Sequence, residues 1–102
     1  YLLVGFGTSS RLCREAVNTL RKSGIKAGLF RPITLWPFPE KELAKAAKGV
    51  KKTLVVEMNA GQMLEDVRLS IGTDKPVDFY GKMGGIVPVA DEIIERVKSY
   101  GK

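Results

Sequence analysis

Four short stretches of this chain are apolar almost throughout, and that continuity restricts the fold more than any other feature. YLLVGF at 1–6, AGLF at 27–30, TLVVEM at 53–58 and VDFYG at 77–81 have strand length, and they lack the alternation of a strand with one wet face. Longer segments with helical spacing separate them. In TSSRLCREAVNTLRKSG the residues Leu12, Cys13, Ala16, Val17 and Leu20 share one face, Thr8, Ser9 or Ser10 can cap the start, and Gly24 suits a left-handed end. Pro39 opens a second helix in PEKELAKAAKGV, where its missing N–H is not needed. Asn59 and Gln62 have the spacing of a capping box ahead of Leu64, Val67 and Ile71, which predicts a third helix over 60–71. Pro88 opens the last helix, with Val89, Ala90, Ile93, Ile94 and Val97 on one face and Asp91 and Glu92 in the first turn. Strands buried on both faces and joined through helices lie parallel. The expected fold is therefore a three-layer α/β/α sandwich with a mainly parallel sheet, for which the strand order 2-1-3-4 is taken.

At 102 residues the chain fits one domain, 1–102, and its 44% hydrophobic and 27% charged residues exclude a disordered or fibrous reading. Cys13 has no internal disulfide partner, so a cytoplasmic location is expected. No apolar run approaches the roughly 18 residues that span a bilayer, and no export signal is visible, so no membrane partner is expected. The chain enters at Tyr1 directly as a buried-type strand, which reads as a fragment of a longer subunit. Lys, Glu, Leu, Val and Ala dominate, with no His, one Gln and two Asn, a usage seen in proteins that work hot.

In such sheets ligands sit beyond the carboxyl ends of the strands where the chain order reverses, here between the loops after strands 1 and 3. That brings Gly5 to Ser10 together with Asn59 to Gln62. The loop GFGTSS resembles a dinucleotide fingerprint up to the third glycine, where Ser10 stands, and Arg31 at the end of strand 2 suits an NADP 2′-phosphate. A glycine turn with Ser and Thr is also the common way to leave a strand and begin a helix. Gly7, Thr8, Ser9, Asn59 and Gln62 are thus the cofactor-binding candidates, with a structural role as the plainer reading. No GxxxxGK[ST] cradle is present.

Without histidine, acid–base work falls on a perturbed Glu or Lys, and Glu57 is the carboxylate placed nearest the crevice. A strand-end Glu accepting backbone N–H groups is the simpler role. Cys13 lies on an apolar stripe and reads as a small buried side chain, and the ligand count excludes metal and iron–sulfur sites. No catalytic residue is assigned. Lys41, Lys45, Lys48 and Lys52 fall at i, i+4, i+7 and i+11, either a solvated face or a surface for an acidic partner, within a formal charge of +6. They lack interleaved aromatics, so nucleic acid is not the expected partner. In RPITLWPFP at 31–39, three prolines stiffen the path that carries Ile33, Leu35, Trp36 and Phe38. These side chains either fold back onto the domain or form an interface. A domain this small can hardly hide all of them, so the loop reads as a docking element.

GFGTSSRLCREAVNTLRKSGI, FRPITLWPFPEKEL and TLVVEMNAGQM together resemble the C-terminal domain of the transketolase-like, thiamine-diphosphate-dependent enzymes. LWPFP, EMNAGQMLEDVR and GKMGGIVPVADEI are most similar to the alpha subunit of 2-oxoacid:ferredoxin oxidoreductases of the 2-oxoglutarate or 2-ketoisovalerate type. That resemblance covers nearly the whole chain. It implies a transketolase C-terminal-like domain in a complex that converts a 2-oxoacid, CoA and oxidised ferredoxin to acyl-CoA, carbon dioxide and reduced ferredoxin. It also implies thiamine diphosphate, magnesium and iron–sulfur clusters in the parent complex. This chain has no GDG…N pattern and no cysteine cluster, so no cofactor is expected in this domain. The implied role is non-catalytic contact with other subunits, through Leu35, Trp36 and Phe38 and through Met83 and Ile86 in the GKMGGIVP loop. The family's sheet carries a further antiparallel edge strand before the first strand seen here.

Overall fold

A computed structural model describes residues 1–32, 39–57, 64–72, 76–81 and 90–101, except the Thr8 side chain. Eight elements alternate: β1 (Leu2–Gly5), α1 (Thr8–Lys22), β2 (Gly28–Phe30), α2 (Glu40–Ala46), β3 (Thr53–Glu57), α3 (Leu64–Ile71), β4 (Val77–Gly81) and α4 (Ala90–Ser99). The strands form one sheet of order β2-β1-β3-β4, and its pairs are all parallel, as the unbroken apolar runs predict. Leu3 pairs with Leu29 on one side and Leu54 on the other, and Val55 pairs with Phe79.

Successive strand residues feed opposite layers. Leu3, Leu54, Val56 and Tyr80 meet Cys13, Ala16, Leu20, Ile93 and Val97 of α1 and α4, whereas Leu2, Val4 and Val55 meet Leu43, Ala47 and Val67 on the α2 and α3 side. Both layers are dry, since Leu3, Val4, Leu20, Leu43, Val55 and Ile93 are each 0% exposed. No helix among the described residues is long and apolar enough to cross a membrane.

The element ends show where local chemistry acts. Gly24 closes α1 at a φ of 84°, with its N–H on the Arg21 carbonyl at 3.0 Å and the Ile25 N–H on the Leu20 carbonyl at 2.9 Å. That pair of bonds is a Schellman motif, and it turns Ile25 back onto the core. The start of α1 differs from the expectation. Gly7, not Thr8, Ser9 or Ser10, occupies the cap, and no side chain caps the helix. The Ser10 hydroxyl instead donates to the Gly7 carbonyl at 2.6 Å, a local bond open to a serine one turn inside a helix.

Pro39 caps α2, whose Leu43 N–H reaches the Pro39 carbonyl at 3.1 Å. α2 ends at Ala46 and the chain turns through Gly49 at a φ of 80°, so the lysine line does not continue along one helix face. Lys52 lies instead over the Tyr100 ring, its Nζ 4.3 Å from the centroid, in the layer of α1 and α4. The third helix is described from Leu64. The capping box of Asn59 and Gln62 lies outside the described residues, as do Met58 and Pro88.

Candidate functional site

The chain order reverses between β1 and β3. From β1 the chain passes through α1 to β2, and from β3 it passes through α3, on the other face, to β4. The described rim of the resulting crevice is Gly5–Ser10 after β1 and Glu57 at the end of β3, with Gly5 in register with Val56. Arg31 follows β2 and is exposed, with β1 standing between it and β3.

Both glycines of GFG are needed by the backbone. A Cβ on Gly5 would lie 2.9 Å from Cys13 Sγ, 3.1 Å from the Ser9 carbonyl oxygen and 3.2 Å from Ser10 Cα. The first turn of α1 therefore rests directly on the end of β1. Gly7 has φ 64° and ψ −131°, a conformation essentially restricted to glycine, and its Cβ position is open. Ser9 and Ser10 are buried, at 2% and 4% exposure, and the Ser10 hydroxyl is used within the turn. Phe6, between the glycines, is 38% exposed. Close strand-to-helix packing at Gly5 and the backbone conformation of Gly7 thus account for the glycine spacing that resembles a nucleotide fingerprint.

Glu57 is buried at 7% exposure and stands opposite Gly81 in β4. Cys13 is fully buried, and desolvation pushes its thiol pKa up to about 12, so the side chain is a neutral core group and not a nucleophile. Among the described residues no group of three or more His, Cys, Asp or Glu could hold a metal ion. With one cysteine, itself in the core, the chain's donor set does not fit an iron–sulfur cluster. Leu35, Trp36, Phe38, Asn59, Gln62, Met83 and Ile86 lie outside the described residues.

A polar cluster on β4 and α4 was missed by sequence reasoning. Asp78 Oδ2 accepts the Tyr100 O–H at 2.6 Å and an Arg96 N–H at 3.1 Å, while Oδ1 accepts the Phe79 N–H at 2.9 Å. Arg96 also reaches the Phe79 carbonyl at 3.4 Å, and the Tyr80 O–H donates to Glu92. Desolvation raises the Asp78 pKa, but the hydrogen bonds from Tyr100, Phe79 and Arg96 together outweigh it and leave it below the usual value. Burial, then the bond and charge of Asp78, raises the Tyr100 pKa. The cluster ties α4 to edge strand β4 and engages the N–H and C=O of Phe79 on that strand. The one signal for it was an aspartate inside an otherwise apolar strand.

Residues 1–93 match the family model described as pyruvate:ferredoxin oxidoreductase core domain II. The chain is 40% identical over 97 residues to the ketoisovalerate oxidoreductase subunit VorB of Methanothermobacter thermautotrophicus, covering 95% of this chain and 27% of that protein. It is 38% identical over 95 residues to the 2-oxoglutarate synthase subunit KorA of Methanothermobacter marburgensis, covering 93% and 25%. Among solved structures, a 2-oxoglutarate:ferredoxin oxidoreductase from Magnetococcus marinus, with 2-oxoglutarate, coenzyme A and succinyl-CoA bound, superposes with a TM-score of 0.87. That match has 27% identity and covers 99% of this chain and 18% of the other. A split-gene transketolase, an inactive beta4 tetramer, has a TM-score of 0.82 at 18% identity over 96% of this chain and 37% of its own, a likeness of fold alone. The chain spans about a quarter of the length of these VorB and KorA relatives.

Proposed function

Because this chain belongs to the pyruvate:ferredoxin oxidoreductase core domain II family, we propose that it is the subunit-interaction domain of a thiamine-diphosphate-dependent 2-oxoacid:ferredoxin oxidoreductase and contributes no reacting group itself. The complex converts a 2-oxoacid, CoA and oxidised ferredoxin to acyl-CoA, carbon dioxide and reduced ferredoxin. Similarity to ketoisovalerate and 2-oxoglutarate enzyme subunits supports a branched or dicarboxylic 2-oxoacid as the substrate. The observation that carries the non-catalytic role is the use of the rim by the fold. Gly5 and Gly7 meet backbone demands, Ser10 bonds within its own turn, and Cys13 is sealed in the core. Thiamine diphosphate, its magnesium and the iron–sulfur clusters belong to other parts of the complex, and ferredoxin, the electron acceptor, meets it in the cytoplasm.

The proline-rich segment containing Leu35, Trp36 and Phe38, with Met83 and Ile86, is the proposed contact with neighbouring subunits. The test is to prepare the full-length protein anaerobically with its partner subunits and follow CoA-dependent viologen reduction by 2-oxoglutarate, 2-ketoisovalerate and pyruvate. The intact complex turns over at least one of them, and the 102-residue chain alone turns over none. Absence of turnover from an intact complex refutes the assignment. Trp36→Ala should weaken subunit assembly in size-exclusion chromatography while leaving the isolated chain folded. Unchanged assembly, or an unfolded chain, refutes the interface.

A further inference from the structure

We draw no further inference here: the strongest candidate, the hollow of about 440 Å³ between α1 and β2 lined by Arg14, Val17, Asn18, Arg21 and Leu29, carries nothing because nothing in the structure shows what covers it.

Discussion

Replacing Asp78 by Asn tests whether a single carboxylate holds α4 to the sheet edge. Asn retains an acceptor for the Phe79 N–H, but it places an amide donor where Oδ2 receives both Tyr100 and Arg96. The Tyr100 hydroxyl can rotate and accept; the guanidinium cannot. The Arg96 pair has side-chain exposures of 43% and 29% and contributes at most about 1 kcal/mol. The short, partly buried Tyr100 bond to a charged acceptor contributes about 1.5–3 kcal/mol, of which a reversed neutral bond recovers part. The expected loss is about 2 kcal/mol at pH 7 by urea unfolding, or a fall of roughly 8–15 °C in Tm for a domain of this size.

The sign with pH follows from the lowered Asp78 pKa. The charged form is favoured in the folded state, so the contribution is present above the ordinary aspartate value of about 3.9 and is lost as pH falls through the folded-state value. The gap between wild type and Asp78→Asn should therefore close in strong acid. Tyr100→Phe should cost about 1–2 kcal/mol, and the double variant should lose less than the sum of the two. An Asp78→Asn chain as stable as wild type at pH 7, or a gap undiminished in acid, would refute the role given to this carboxylate.

Further substitutions probe the rim and the core. Gly7→Ala should cost about 1–3 kcal/mol from backbone conformation alone, and Gly5→Ala a similar amount from crowding against Cys13 and α1. Adding Cys13→Ala should relieve only part of the Gly5→Ala strain, because the Ser9 carbonyl and Ser10 Cα remain; melting temperatures of the three variants decide this. The Cys13 thiol should resist Ellman's reagent in the native chain at pH 8 and react promptly in denaturant, since burial keeps it protonated and inaccessible. Leu3→Ala, at the centre of the sheet, should cost about 2–5 kcal/mol in urea unfolding. Tyr100 adds an alkaline limit. Its raised pKa favours the protonated phenol in the folded state, so that contribution is present below about pH 10 and lost as pH rises through the folded-state value.

The run of elements was legible in the linear chain because it depends on local periodicity and composition. Continuous apolar strands require cover on both faces, and amphipathic helices between them can supply it only in a parallel sheet. Gly24 as the end of α1 and Pro39 at the start of α2 were legible for the same reason, since each answers a demand of its own turn. The placement of Gly7 at the head of α1 was not, because serine and threonine beside it offered equally good caps, and the approach of α1 to β1 decided among them. Lys52 left the helix 2 line once the turn at Gly49 carried it across to Tyr100. Asp78, Arg96 and Tyr100 are separated by up to 22 residues, and only the docking of α4 on β4 brings them together. The sequence by itself determined the elements, their order along the chain and the layers they form, through periodicity within a few residues. Tertiary structure alone decided which polar groups meet, because those contacts form only after the apolar faces have been buried.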